Sequence, residues 1–360
     1  MTASAPQREL DPNQNSMLSK LLMQQFRNKV VGQEPAVQAL MDMFEYHQSG
    51  LCDPFKPVGV ALFLGNTGTG KTHLCEVFAD SLFGSKRACV RINCGEMQHS
   101  HEISKLVGSP PGYLGFKETH PALEQEVLDK YHTPELKLSI VLIDECEKAS
   151  DSLWQLLLGI LDDASLTLGD NRKVNFSKTI IVMTSNVGAR EMSNKGIGFA
   201  ELSEERDRTR LEKIALSAAK AKFPPEFLNR IQHIVTFETL TKNQIEAILD
   251  IELRELEFRL FAASSPLNPD LKPGETPRAP RFSLAVSPAA KKTLLSEGYS
   301  VDYGARSLKR TIDRRITKNL AKLLTSGQIA AGDKVIVDDT GADAFKFYVH
   351  PKEITHEIQS

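Results

Sequence analysis

The segment Gly65-Asn66-Thr67-Gly68-Thr69-Gly70-Lys71-Thr72 constrains the fold of this chain more than any other stretch. It fits the pattern G-x-x-x-x-G-K-[ST], follows the apolar run Gly59–Leu64 and opens a helical stretch from His73 to Leu82. Glycines at these places let backbone N–H groups turn inward around phosphate oxygens, and a helix N-terminus behind them adds a favourable dipole. Three further β-rich runs, 89–92, 138–143 and 179–184, are continuously apolar and lie between helical stretches. Strands of that kind are buried on both faces. The expected class is therefore α/β, a parallel sheet flanked by helices.

The carboxylates follow the same logic. Ile140-Val141-Leu142-Ile143 runs straight into Asp144-Glu145, and a β-run that ends in two acids beyond a phosphate loop is the pattern of a metal-and-water site. In that reading Lys71 holds the β- and γ-phosphates of a nucleotide, Thr72 and Asp144 hold Mg²⁺, and Glu145 polarises the attacking water. Asn186 ends the run Thr179–Thr184-Ser185 and is expected to orient that water. ATP and Mg²⁺ are the implied ligands.

At 360 residues the chain has room for two or three domains. Residues 1–18 read as a polar lead-in, 19–238 as the large nucleotide domain, 239–350 as a small C-terminal domain and 351–360 as a tail. Within the small domain, Ser264–Arg281 is too rich in proline for helix or central strand and reads as an inserted loop. Helical periodicity marks Lys242–Phe261, Pro288–Glu297 and Ala305–Leu324, and Lys334–Val337 with Phe345–Val349 predict a closing hairpin. The formal net charge of −2 gives no reason to expect nucleic acid or an anionic membrane as partner. No apolar run approaches the length of a membrane span, and the first residues lack the order of a secretory signal. Five cysteines without framework spacing point to a reducing compartment, so the cytoplasm is the expected location.

Taken in order, several segments resemble the Clp branch of the AAA+ ATPases, most closely the second ATPase module of ClpB. They are Val30-Val31-Gly32-Gln33, Ser49–Pro54, the phosphate loop, Gly108–Phe116, Asp144–Ala149, Leu161-Asp162-Asp163, Thr184–Asn186, Pro225–Ile231 and Tyr303–Arg310. The resemblance implies a P-loop NTPase domain with a five-stranded parallel sheet flanked by helices, a smaller mostly helical C-terminal domain, and a hexameric ring that uses ATP to unfold, remodel or disaggregate proteins by drawing polypeptide through a central pore. It makes Val30 and Val31 part of an adenine pocket, Arg230 an arginine finger that reaches the neighbouring subunit's nucleotide, and Arg306 a sensor from the small domain. Gly112-Tyr113-Leu114 is then the pore loop that grips the substrate chain. Ile197-Gly198-Phe199 is similar to the tripeptide by which ClpX and ClpA dock on the ClpP protease, so a ClpP-type protease or an adaptor is a further expected partner. Against ClpB, the sequence shows no N-terminal substrate domain, first ring or coiled-coil middle domain. The expectation is a single ring. Two other readings stand beside the threading motor. One is a stand-alone disaggregase with no protease, the other a nucleotide-switched scaffold with little hydrolysis; intact Glu145, Asn186 and Arg230 argue against the scaffold.

Overall fold

The computed structural model describes residues 11, 14, 16–109, 120–193, 204–263, 282–300, 304–330, 332–341 and 344–350. Three strands are buried along their whole length: β1 (Gly59–Gly65), β3 (Ser139–Asp144) and β6 (Thr179–Ser185), with β2 (Val90–Asn93) and the small pair β4 (Ser165–Thr167) and β5 (Lys173–Asn175) between them. With β7 (His233–Phe237) they build a five-stranded sheet of order β2-β3-β6-β1-β7, parallel throughout. The two strands that are only partly buried, β2 and β7, are its edges. β4 and β5 form a separate antiparallel hairpin.

Side chains leave this sheet with a strict period of two, and the two faces build two cores. Val60, Leu62, Leu64, Val141, Ile143, Ile181 and Met183 pack on one side under helix Asp151–Asp163 and the C-terminal half of Glu204–Lys222. Ala61, Phe63, Ile140, Leu142, Ile180 and Val182 pack on the other, against Met17–Lys29, Glu34–Ser49 and Lys71–Phe83. The apolar stripe around Trp154 belongs to the first core. Leu153, Leu157 and Ile160 are buried, and the Trp154 ring meets Phe227 edge-on at 4.6 Å and Phe223 at 5.4 Å.

The smaller unit has its own core around Leu249, Leu294, Leu308, Ile316 and Val335. Its helices are Lys242–Ala263, Pro288–Gly298 and a long segment from Ala305 to Thr325, which is not the uninterrupted helix its periodicity predicts: residues Asp313–Thr317 form a π-turn between Ala305–Ile312 and Lys318–Thr325. The predicted hairpin is present as β9 (Lys334–Asp338) and β10 (Lys346–His350), but β8 (Ser283–Val286) joins β9 in parallel and widens it to three strands. At the other end, helix Met17–Lys29 begins two residues inside the expected lead-in, capped by the Ser16 hydroxyl. The Pro-rich insert and the tail lie outside the described residues.

Trp154 is the one tryptophan of the chain, so its emission reports the large unit alone. Phe227→Ala removes the buried ring beneath it and is expected to destabilise that unit by about 3–5 kcal/mol. Urea unfolding followed by Trp emission checks this; an unshifted midpoint would contradict the packing described.

Candidate functional site: a phosphate cradle roofed by the small domain

The parallel strands bring Gly65, Asp144 and Ser185-Asn186 to the same carboxyl edge of the sheet, where open α/β sheets place their ligands. The turn after β1 is held so tightly against β7 that a Cβ on Gly65, at φ +150°, would stand 2.8 Å from the Phe237 carbonyl oxygen. Lys71, the first residue of its helix, is only 7% exposed. Its Nζ donates to the carbonyls of Gly65 and Asn66, both at 2.7 Å, and to Asn186 Oδ1 at 3.0 Å. Burial lowers the Lys71 pKa to about 8, against the pull of Glu147, Asp144 and Glu145, which raises it, and with Arg306 lowering it further. A cation surrounded by neutral acceptors in a desolvated cradle binds an incoming anion strongly, because it has little water to give up.

Beside it, Thr72 Oγ1 donates to Asp144 Oδ1 at 3.1 Å, and Thr184 Oγ1 donates to the same oxygen. A hydroxyl and one buried carboxylate next to a phosphate loop are hard oxygen donors. They suit Mg²⁺, which is held by one or two carboxylates together with the substrate's phosphates rather than by an all-protein cage. Glu145 takes a left-handed backbone conformation, φ 56° and ψ 46°, unusual for a residue with a side chain. Its N–H donates to Thr184 Oγ1, and its carboxylate accepts from Lys148 Nζ at 2.7 Å. Such strain persists only where the surroundings over-determine it, and the Thr184 hydroxyl ties Asp144 and Glu145 to β6 together. Asn186 in turn donates from Nδ2 to Glu147 Oε1 at 3.4 Å, so its amide is read by Lys71 on one side and Glu147 on the other.

The small domain closes over this cradle. The Ala305 N–H donates to the Gly68 carbonyl at 3.1 Å, a backbone contact between the phosphate loop and the first turn of helix Ala305–Ile312. Gly304 makes the approach possible: its φ is +50°, and a Cβ there would lie 2.5 Å from the Gly68 oxygen. Arg306 lines the resulting cavity of about 360 Å³ together with Thr67, Gly68, Thr69, Gly70, Lys71 and Thr72. Val30 and Val31 face it with Leu240, Ile248 and Ile251, which form an apolar wall from both domains. Gln33 fastens the arrangement, donating to the Glu238 carbonyl at 3.0 Å and accepting from the Glu238 N–H at 3.1 Å. Lys86 and Glu255 pair across the same junction at 3.0 Å; Glu255 is held below the usual carboxylate range by Lys86 although burial works against it.

Of the residues singled out from sequence, Val30, Val31, Thr67–Thr72, Asp144, Glu145, Asn186 and Arg306 all line this one cavity, with Gly65 and Asn66 contributing carbonyls to its lysine. Arg230 does not. It lies away from the cavity, gripped by both oxygens of Asp162, with Nη2 at 2.7 Å from Oδ2. Gly112, Tyr113, Leu114 and Ile197-Gly198-Phe199 fall outside the described residues. Arg91, Glu76, Glu252 and Lys309 line the cavity without having been marked in the sequence. The first sits in an ordinary β-run and the last two in ordinary helix faces, so residue type and spacing carry no signal for them.

Comparison with known proteins agrees with this geometry. A family model described as AAA domain (Cdc48 subfamily) matches residues 56–234, and one described as the C-terminal, D2-small domain of ClpB protein matches 277–337. The ATP-dependent Clp protease ATP-binding subunit ClpC of Staphylococcus saprophyticus is 34% identical over 327 residues, which is 91% of this chain and 37% of that protein. ClpC of Staphylococcus epidermidis is 35% identical over 328 residues, with the same two shares, and that of Staphylococcus aureus 36% over 320 residues, 89% and 36%. The chain thus spans little more than a third of these relatives. Among solved structures, a closed-state cryo-EM reconstruction of Hsp104 with ATPγS and FITC-casein superposes with a TM-score of 0.73 at 31% identity, covering 95% of this chain and 53% of that one. The chain belongs to the AAA+ ATPases, in their Clp branch.

Proposed function

We propose that this chain hydrolyses ATP within a ring of identical subunits and uses the cycle to unfold, remodel or disaggregate polypeptides. The observation that carries the reading is the contact of the small domain with the phosphate loop itself, through Ala305 and Gly68, above a buried lysine and a metal-ready carboxylate. A nucleotide held there touches both domains at once. Val30, Val31, Leu240, Ile248 and Ile251 offer the flat apolar wall an adenine needs.

In this reading Lys71 takes the β- and γ-phosphates in place of its carbonyl partners, and Thr72 and Asp144 would hold a Mg²⁺ ion, which would supply charge neutralisation at the phosphates. Glu145 takes the proton of the attacking water, and Asn186 swings from Lys71 to hold that water in line. Arg306 reads the γ-phosphate from the small domain, so loss of that phosphate loosens the roof and turns the domain. Arg230, paired with Asp162 outside its own pocket, would serve another subunit's nucleotide rather than its own. Gly112-Tyr113-Leu114 would present the gripping aromatic to the substrate chain.

Delivery to a ClpP-type protease is a narrower form of the same reading. It is favoured by the relatives' description as protease subunits and would run through Ile197-Gly198-Phe199.

Two experiments test the account. Glu145→Gln is expected to bind ATP within a few-fold of wild type and lose about 10²–10⁴ in turnover, and Arg230→Ala to lose about 10³ or more. Mixing the two inactive variants should restore part of the rate, because a subunit with intact Glu145 then receives Arg230 from its neighbour. No recovery in mixed assemblies, or undiminished turnover in Arg230→Ala alone, would refute the trans assignment. Separately, Gly304→Ala forces a Cβ against the Gly68 carbonyl and should weaken fluorescent-ATP binding about tenfold or more, given strain of about 1–3 kcal/mol. Unchanged binding would mean that the small domain does not roof the nucleotide.

A further inference from the structure

Arg91 reaches into the cavity from the edge strand β2, and none of the roles above uses it. Its Nη2 donates to Asp144 Oδ2 at 2.5 Å. Its Nη1 stands 3.7 Å from Glu76 Oε1, on the phosphate-loop helix. The two carboxylates therefore flank one guanidinium, but they are not alike. Asp144 is 8% exposed, and its other oxygen is already engaged by the Thr72 and Thr184 hydroxyls. Glu76 is a third exposed, and the Arg91 side chain is half exposed at 52%.

A buried carboxylate requires a cationic or hydrogen-bonded partner, and among the described residues Arg91 makes the direct ion pair with Asp144, while Lys71 acts on it from farther off. Asp144 is also the carboxylate that the proposed function assigns to Mg²⁺. Two cations cannot share one carboxylate at contact distance without mutual repulsion in a poorly solvated site. Arg91 has a flexible, partly solvated stem and a second carboxylate beside it, so it can yield Asp144 without leaving the cavity or losing a partner.

We infer that Arg91 is a displaceable counter-cation: it neutralises Asp144 until a divalent ion enters with the nucleotide, then transfers to Glu76. This makes Arg91 a positioning residue for Asp144 and sets the affinity of the metal rather than that of the nucleotide. It rests on the assignment of Asp144 as metal-holding.

The test is Mn²⁺ binding, read by electron paramagnetic resonance on protein saturated with ADP, beside ADP binding in EDTA. Arg91→Met keeps the aliphatic stem, removes the competitor, and should tighten Mn²⁺ binding about tenfold. Glu76→Gln leaves the Arg91–Asp144 pair intact, removes the landing site, and should weaken Mn²⁺ binding several-fold. ADP affinity in EDTA, measured for each variant, separates an effect on the metal from one on the nucleotide. Opposite shifts in the two variants support the exchange. Mn²⁺ affinity that is unchanged or weaker in Arg91→Met, or shifts of the same sign in both, overturns it. Failure of the wild-type chain to bind ADP both in EDTA and with a divalent ion present would instead overturn the nucleotide-site reading itself, and the exchange with it.

Discussion

A charged lysine buried in a protein must be surrounded by acceptors, and the architecture around Lys71 follows from that requirement. Its ammonium is satisfied by two carbonyls of the turn after β1 and by the Asn186 amide at the end of β6. Those acceptors converge only if β1 and β6 are neighbours in a parallel sheet and end at the same level, which is their register here, Leu64 opposite Ser185. The same level brings β3 to its end at Asp144. Three fully buried strands thus do one job, which is to hold a lysine, a carboxylate and an amide in fixed relation at one edge.

Coupling to the second domain is unusual in resting on backbone as well as side chains. The Ala305–Gly68 hydrogen bond joins two main-chain groups, whose geometry changes little with side-chain rotamer. A shift of the phosphate loop is therefore passed to helix Ala305–Ile312 with little slack. Across this junction the ion pair Lys86–Glu255 is partly solvated and contributes weakly to stability. It favours the closed arrangement without locking it.

The central strands were legible in the sequence because burial on both faces leaves the middle of each, Val60–Leu64, Ile140–Ile143 and Ile180–Met183, continuously apolar. β7 is an edge strand with His233 and Thr236, and β4, β5 and β8 span only three or four residues, so none carries a comparable pattern. The π-turn at Asp313–Thr317 has no sequence mark either: the apolar spacing on both sides is helical. In the site, residues within a contiguous motif were readable, and partners brought in by tertiary register were not. Arg91 meets Asp144 only because β2 pairs with β3 so that Asn93 stands opposite Asp144. Gly304 is required by the nearness of Gly68, far away along the chain.

The central claim is that each nucleotide is hydrolysed with help from a second copy of the chain. ATP turnover per subunit, measured across a dilution series with native mass recorded on the same samples, tests it most directly. The account predicts that turnover per subunit rises with the fraction assembled and falls away where the chain is monomeric. A constant turnover per subunit from monomer to assembly would contradict it.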